Sequence, residues 1–226
     1  MADSPKGKSL RLNVTFLDRI VRAFSLLEDF IFEKRYGLQL GGTIPAKQLV
    51  TDKQDALLHA NNYQAISCRN SRKLFDEAKR TGIRFRSFVD IGSGKGKACF
   101  FASKQLDVDN IIGVEFSKPL IDIAELNKKQ IGSAKIAFLQ ADASEYLLPD
   151  GNNLIFLFNT FDDLLIERFI AHNVDHFRTN RSVIAYANDM QRAALTRCGF
   201  TAIYRSQSRK ISLWEYSKSG GPGRDS

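Results

Sequence analysis

The sequence has only three cysteines, and their arrangement argues against two common kinds of small stabilised domain. Cys68, Cys99 and Cys198 are an odd set without a Cys-x-x-Cys spacing. Disulfide frameworks use paired cysteines and structural zinc uses four clustered ligands, so we expect three reduced thiols. His172 and His176 lie four residues apart, but no carboxylate or thiolate pattern accompanies them. We interpret them as a surface or interface pair and expect no metal.

Long hydrophobic runs are also missing. No apolar run approaches the roughly 18 to 20 residues that a membrane span needs, and the first thirteen residues are polar and basic without an apolar signal core. We therefore expect a cytoplasmic protein that does not enter a membrane. The 226 residues are 43% hydrophobic and 26% charged, which is ordinary globular composition and enough for one substantial domain.

The net charge of +8 is concentrated in one segment. Arg69 to Arg86 holds seven basic and two acidic residues, which supplies +5. Such a segment can attract nucleic acid or another anionic partner. It can equally be the solvated face of a helix, because Leu74, Phe75 and Ala78 fall at helical spacing. We favour the solvated helix face.

The N-terminal part of the chain predicts helices and an irregular loop. From Val14 to Phe32, apolar residues recur at three and four, which indicates an amphipathic helix whose apolar stripe packs against the domain. Glycines and a proline break regular structure between Tyr36 and Leu49, and we expect this loop to cover a site. A further helix is predicted from Ser71 to Arg80, ended by Gly82.

After Gly82, short apolar strands alternate with helices, which predicts a doubly wound parallel sheet covered on both faces. Five strand segments read SFVDIG, NIIGVEFS, KIAFLQAD, NLIFLFN and RSVIAYAN. The end of the chain, FTAIYRSQSRKISLWEYS, has two further strand segments separated only by Gln207 to Lys210, so these two must pair as a hairpin. The predicted fold class is α/β: a seven-stranded Rossmann-like sheet that ends in an antiparallel hairpin, with an N-terminal helical extension.

Four helices are expected to connect these strands. In the helix predicted to follow the second strand, Ser117 is expected to be the N-cap and Pro119 to stand in the first turn. The predicted spans are Lys97 to Gln105, Ser117 to Lys129, Asp162 to Phe177, and Met190 to Arg197, which ends at Gly199.

The turn after the first strand is rich in glycine, and its spacing fits neither of two familiar phosphate motifs. A phosphate loop needs glycine where Ile91 stands and serine or threonine where Ala98 stands. A dinucleotide fingerprint needs its third glycine where Lys97 stands. A nicotinamide oxidoreductase therefore agrees with the fold but not with this turn.

The turn instead has an acid followed by three alternating glycines: Asp90, Gly92, Gly94 and Gly96. Glycines let the backbone approach a ligand, and the amides that open the next helix favour an anion. Asp90 adds a negative group suited to an ammonium, so the turn, including Ser93, fits both charges of an amino acid. We interpret Lys95 and Lys97 as incidental.

Acids also follow the next two strands, at the edge where such sheets bind ligands. Glu115 is placed to accept hydrogen bonds from ribose hydroxyls, and Phe116 to cover an adenine face. Asp142, followed by Ala143, is placed to accept a hydrogen bond from the adenine amine.

These residues carry a resemblance to the class I S-adenosylmethionine-dependent methyltransferases. The segments VDIGSGKG, IGVEFS, LQADAS and FLFNTF, with the terminal hairpin, resemble that family over Arg69 to Lys218. The resemblance implies S-adenosyl-L-methionine as cofactor and S-adenosyl-L-homocysteine as product. It places the methionine end of the cofactor at Asp90 to Gly96, the ribose on Glu115, and the adenine between Phe116 and the pair Asp142 and Ala143.

More narrowly, the chain is similar to small, mostly bacterial methyltransferases with a GGTIP-like segment and an Asn-Pro-Phe after the fourth strand. Its glycine turn alone is similar to that of the histone-lysine methyltransferases. Here the tripeptide is Asn159-Thr160-Phe161, without the proline that helps such enzymes hold an amine, and the upstream segment around Tyr63 also lacks its usual proline. The resemblance implies that Asn159 orients the acceptor, and it slightly favours a protein lysine or another amine over RNA and small molecules.

Three regions of the chain are expected: an N-terminal helical extension and cover loop (1–68), a cofactor-binding methyltransferase domain (69–218) and a flexible tail (219–226). The competing hypothesis is a methyltransferase fold without turnover that binds nucleic acid or protein through its basic surface. All three cofactor acids and all three glycines are present, which favours the enzyme.

Overall fold

Seven strands form one sheet in the computed structural model of the chain, which describes residues 16–42, 65–158 and 162–217. The strands are β1 (Ser87–Ile91), β2 (Asn110–Glu115), β3 (Ile136–Gln140), β4 (Asn153–Phe158), β5 (Val183–Ala187), β6 (Phe200–Ser206) and β7 (Ile211–Tyr216). Their order across the sheet is β3-β2-β1-β4-β5-β7-β6. From β1 the strand order runs through β2 to β3 on one side, and the chain then returns to β4 on the other side of β1. Open α/β sheets bind ligands at such a reversal of strand order, here between β1 and β4.

Seven α-helices and one short 3-10 helix are found among the described residues. The α-helices are α1 (Phe16–Tyr36), α2 (Cys68–Arg80), α3 (Lys97–Gln105), α4 (Lys118–Ile131), α5 (Asp163–His172), α6 (Val174–Thr179) and α7 (Arg192–Arg197). The 3-10 helix spans Ala143–Glu145.

The sheet has the predicted architecture. β1 pairs in parallel with β2 and β4, and the parallel ladder continues to β3 on one side and β5 on the other. At the end of the chain, β7 pairs antiparallel with both β5 and β6. The predicted hairpin is therefore confirmed, and its second strand is the one inserted next to β5.

Two apolar clusters fill the two faces of the sheet. Successive strand residues point to opposite faces, so Phe88 belongs to one cluster and Val89 to the other. Phe75 of α2 packs edge to face on Phe88, with ring centroids 5.4 Å apart. On the other face, Phe177 of α6 packs on Phe200 at 5.0 Å. The covered faces explain why the strands read as nearly continuous apolar runs.

Most of the basic segment lies on α2, and only Arg84 and Arg86 follow the helix, in the loop before β1. Leu74, Phe75 and Ala78 are buried, as the helical spacing predicts. Lys73 and Arg80 both pair with Glu77, at 2.6 and 2.5 Å. This placement agrees with the interpretation of the segment as a solvated helix face.

Three local predictions are wrong. The helix expected from Asp162 to Phe177 is broken at Asn173, whose buried side chain accepts a hydrogen bond from Leu148 N and donates one to Tyr146 O, both at 2.8 Å. The last helix begins at Arg192 and not at Met190, because Asn188 adopts a left-handed φ of 53° before it. Ser117 occupies the N-cap of α4, but its side chain makes no capping hydrogen bond.

Helix α1 also differs from its prediction. Phe32 is buried and its acidic neighbours on the same side are half-buried. The apolar residues of the expected stripe that the structure describes are exposed: Ile20, Val21, Phe24, Leu27 and Ile31. The periodicity identified a helix correctly, but the face that contacts the protein is the opposite one.

The cysteines and histidines of the described residues have the following surroundings. All three cysteines are free, and Cys68 and Cys99 are buried. No group of three or more His, Cys, Asp or Glu side chains in the described ranges is placed to hold a metal ion. His176 instead lies 2.8 Å from Ser182 Oγ. Among the helices described, none is long and apolar enough to cross a membrane.

Candidate functional site

The glycine turn between β1 and α3 is fixed by the neighbouring strand. The amides of Gly92 and Ser93 both donate to the carbonyl oxygen of Val114 in β2, at 2.8 and 3.0 Å. The amide of Gly96 then donates to Ser93 O at 2.9 Å and closes the turn. The backbone is thus held in place by hydrogen bonds before any ligand is present.

Gly96 is required by its surroundings and by its conformation. Its φ of +85° is left-handed, and a Cβ atom there would lie 2.5 Å from Phe138 Cζ and 2.8 Å from Phe100 Cε2. Real Cβ atoms do not approach other heavy atoms so closely. Two aromatic rings therefore pack directly on the backbone where α3 begins.

Asp90 is buried at the base of this turn. Its side chain is 3% exposed, and the Cys99 thiol donates to its Oδ2 atom over 3.7 Å. The pKa of Asp90 is raised to about 7, chiefly by burial; the Cys99 hydrogen bond lowers this pKa and the nearby Glu115 raises it, both by less than burial does. An ammonium ligand beside this group would favour its carboxylate form.

Glu115 joins the glycine turn to the loop after β2. Its Oε2 atom accepts from Gly94 N at 3.0 Å, and its Oε1 atom accepts from Ser117 N at 2.9 Å. Burial raises the pKa of Glu115, while the backbone amides around it lower it. A carboxylate has about four acceptor sites, so two amide contacts leave capacity for ligand hydroxyls.

A cleft opens beside Glu115 at the carboxyl ends of the parallel strands. It is lined by Gly92, Val114, Glu115, Phe116, Ala141, Asp142, Ala143 and Leu165. Asp142 uses its Oδ1 atom to accept from the amide and the hydroxyl of Ser144, at 2.9 and 2.8 Å. These bonds fix the Asp142 carboxylate at the edge of the cleft.

The structure thus places the predicted cofactor residues in two adjoining groups. Gly92, Glu115, Phe116, Asp142 and Ala143 line the cleft. The remaining four lie in or under the turn beside it: Asp90, Ser93, Gly94 and Gly96. Leu165 of α5 completes the cleft and was not predicted, because an apolar helix residue has no distinguishing sequence pattern.

The two lysines of the turn have structural partners, so interpreting them as incidental is wrong. The Lys95 ammonium donates to Gly41 O at 2.6 Å, and burial lowers its pKa. The Lys97 ammonium, on a residue 5% exposed, lies 3.1 Å from Asp29 and 3.7 Å from Glu33 of α1. Both lysines connect the glycine turn to the N-terminal part of the chain.

Asn127 of α4 makes a third connection. Its Oδ1 atom accepts from Gln39 N at 2.8 Å, and its Nδ2 atom donates to Gln39 O and to Lys95 O, each at 3.3 Å. The sequence held one signal for this residue: Asn127 is a polar residue at the apolar spacing of Ala124 and Ile131. Residues 38–42 are thereby held against the outside of the turn.

Several predicted residues lie outside the described ranges. They are Asn159, Thr160 and Phe161, Tyr63, residues 43–49 of the expected cover loop, and the expected tail of residues 219–226. The described chain resumes at Asp162, whose side chain caps α5 by accepting from Leu165 N at 3.0 Å.

Comparisons with known proteins agree with this geometry. A family profile described as a methyltransferase domain matches residues 86–212. A search of curated proteins finds no match. Among solved structures, a Methanococcus maripaludis protein assigned to the S-adenosyl-L-methionine-dependent methyltransferases superposes with a TM-score of 0.50 at 16% identity, over 68% of this chain and 87% of its own.

Two further solved structures are similar at lower scores. TrmN of Thermus thermophilus has a TM-score of 0.49 at 15% identity, over 67% of this chain and 49% of its own. The ribosomal protein L11 methylase of Lactobacillus delbrueckii subsp. bulgaricus has a TM-score of 0.47 at 14% identity, over 65% of this chain and 75% of its own. At these identities the likeness concerns the fold alone.

Proposed function

This chain belongs to the methyltransferase domain family, and from that membership we propose that it transfers the methyl group of S-adenosyl-L-methionine to an amine acceptor. The observation that carries the cofactor part of the proposal is a pair of buried acids, Asp90 and Glu115, at the glycine turn. Neither acid forms an ion pair with any residue that the structure describes. Buried acids without a cation are costly, so the site favours a positively charged ligand.

The residues present fit that cofactor. Asp90 would hold its ammonium group, and the amides at the start of α3 would hold its carboxylate. Glu115 would accept hydrogen bonds from the ribose hydroxyls. Phe116 would cover the adenine, whose amine would donate to Asp142 beside Ala143.

The reaction needs little further chemistry from the protein. The bound cofactor supplies an activated methyl group for in-line displacement. The chain has to orient the acceptor lone pair and keep water away from it. We assign orientation to Asn159, which follows Phe158, the last residue of β4, in the sequence.

Calorimetry tests the cofactor assignment. We expect S-adenosyl-L-methionine to bind the full chain, and Asp90→Ala or Glu115→Ala to weaken binding at least about tenfold, because each loses a charge-assisted contact. NADH serves as the control ligand and is expected not to bind. Absence of any heat with S-adenosyl-L-methionine would favour the scaffold without turnover.

The acceptor needs a separate experiment. We infer an amine, such as a protein lysine, from the position of Asn159 after β4 and from nothing else. The chain is incubated with methyl-labelled S-adenosyl-L-methionine and a fractionated lysate, and label is counted in protein, RNA and small-molecule pools. Asn159→Ala is expected to reduce protein labelling at unchanged cofactor affinity. Label concentrated in RNA would contradict the amine proposal and leave the cofactor assignment intact.

A further inference from the structure

Helix α1 exposes an extended apolar surface. Seven large apolar side chains on this one helix are between 36% and 63% exposed: Ile20, Val21, Phe24, Leu26, Leu27, Phe30 and Ile31. We call these seven side chains the α1 apolar surface. Contiguous apolar surface of this kind on a folded chain marks an interaction site.

The polar side of α1 is the side that contacts the domain. Glu28 pairs with Arg72 of α2, and Asp29 pairs with Lys97 at 3.1 Å. The Asp29 carboxylate also accepts from Cys68 N at 2.7 Å, where α2 begins. These contacts fix the rotation of α1 about its axis, so the helix cannot bury the α1 apolar surface without breaking them.

The width of the α1 apolar surface distinguishes between possible partners. At about 100° per residue, its side chains span roughly 220° of the helix circumference. A coiled-coil partner uses a narrow seam of a and d positions. A wide apolar arc is better matched by a continuous apolar layer than by one other helix.

The exposed charged side chains around the α1 apolar surface are basic, whereas the acids of the helix have partners in the domain. The acids Glu28, Asp29 and Glu33 face Arg72 or Lys97. The exposed charged side chains of α1 from residue 19 onward are basic: Arg19, Arg22, Lys34 and Arg35. The preceding residues 1–18 add three basic residues and two acids in sequence, a further net charge of +1. A second copy would bring basic groups against basic groups, whereas an anionic surface complements them.

We propose that α1 binds the surface of an anionic lipid bilayer and lies in its plane. The helix of 21 residues is about 32 Å long, and its apolar side would enter the boundary between headgroups and acyl chains. Arg19 and Arg22 would contact lipid phosphates, since basic groups near an anionic surface strengthen binding. This proposal revises the expectation from the sequence that the chain does not enter a membrane, because that expectation considered only spanning segments.

Vesicle sedimentation tests the proposal with the full chain. We expect binding to vesicles of phosphatidylcholine mixed with phosphatidylglycerol, and much weaker binding to pure phosphatidylcholine. The double variant Phe24→Ser/Leu27→Ser is expected to lower the partition coefficient at least about tenfold, because it removes buried apolar area. Arg19→Gln/Arg22→Gln is expected to lower it about fivefold for each charge removed.

Matched variants elsewhere on the surface serve as controls. Leu126 and Leu147 are 57% and 64% exposed, so Leu126→Ser/Leu147→Ser removes similar apolar area away from α1. Arg84→Gln/Lys129→Gln removes two exposed charges in the same way. Both controls are expected to bind vesicles like the unaltered chain, and circular dichroism verifies that every variant is folded.

Two results would overturn the proposal. One is a failure to sediment with anionic vesicles, or an equal loss in the α1 variants and the controls. The other is a concentration-dependent dimer in analytical ultracentrifugation that Phe24→Ser/Leu27→Ser dissociates while vesicles bind nothing. That result would identify a second copy of the chain as the partner of α1.

Discussion

The carboxyl group of Asp90 is held close to its titration point by the protein around it. Its ordinary pKa of 3.8 rises to about 7, chiefly because the group is removed from water. The folded chain therefore retains a proton here that the unfolded chain releases. A cationic ligand reverses this, since it stabilises the carboxylate.

This shift predicts a pH-dependent cofactor affinity. Below a pH of about 7, ligand binding must expel the Asp90 proton, so affinity should fall about tenfold for each pH unit and level off above 7. Calorimetry at pH about 6, in two buffers of different ionisation enthalpy, should detect release of about one proton per ligand bound. Asp107→Asn, a change at an exposed acid, should leave this release unaltered. Equal affinity at pH about 5.5 and 7.5 would contradict the prediction.

Gly96 and Gly132 allow a matched comparison. Both have left-handed φ values, +85° and +64°, but a Cβ at Gly132 would meet nothing within 4 Å. Gly132→Ala should lower the free energy of unfolding by about 1 to 2 kcal/mol through backbone strain alone. Gly96→Ala should cost about 1 to 3 kcal/mol more, because Phe138 and Phe100 must move. Urea denaturation measures the free energy of unfolding of both variants. An equal loss in the two would show that the packing of Phe138 and Phe100 on Gly96 contributes nothing to stability.

Helix α1 is attached to the domain through ion pairs and through Phe32, which packs on Phe101 with ring centroids 5.4 Å apart. Lys97 is almost wholly buried, whereas its partners Asp29 and Glu33 keep some contact with solvent. Removal of the lysine would leave two acids without their cation in this interface. The attachment of α1 should therefore depend on Lys97 more than on any surface ion pair.

Lys97→Met should loosen α1 and weaken the fold. Breaking a fully buried pair costs about 3 to 5 kcal/mol, and partial exposure of the acids reduces our expectation to about 2 kcal/mol. Hydrogen exchange should show that α1 amides lose protection before those of β1. Lys128→Met, which removes an exposed pair with Glu125, should change stability by less than about 0.5 kcal/mol. Unchanged protection of α1 in Lys97→Met would refute this role.

The terminal hairpin and the α5 break differ in how far sequence could predict them. The hairpin could be predicted from the short connection between its strands, because the four residues Gln207 to Lys210 are too few for a crossover helix. That β7, and not β6, pairs with β5 is decided by packing across the whole sheet. The break at Asn173 depends on hydrogen bonds to Tyr146 and Leu148, which are distant in the chain.

Cofactor binding should stabilise the whole domain, because β1, β2 and β3 all contribute to the cleft or the turn. At a concentration about 100 times its Kd, S-adenosyl-L-methionine should add about 2.7 kcal/mol to the free energy of unfolding. For a chain of this size the Tm should rise by roughly 5 to 10 °C. NADH at the same concentration should leave the Tm unaltered. A shift produced by NADH and not by S-adenosyl-L-methionine would point to dinucleotide chemistry instead.

The family match begins at Arg86, so α1 and residues 38–42 lie outside it. These parts nevertheless contact the glycine turn through Lys95, Lys97 and Asn127. Changes in α1 can therefore reach the turn through direct contacts.

The sequence by itself determined the α/β sheet, the hairpin, and the acids and glycines expected at the strand ends, because each depends on spacing between near neighbours in the chain. Only the tertiary structure decided the pKa of Asp90, the partners of the two lysines and the outward direction of the α1 apolar surface. A periodic pattern specifies that a helix has an apolar face, but the surrounding charges decide which face is buried. Lys97 and Asp29, far apart in sequence, settle that question for α1.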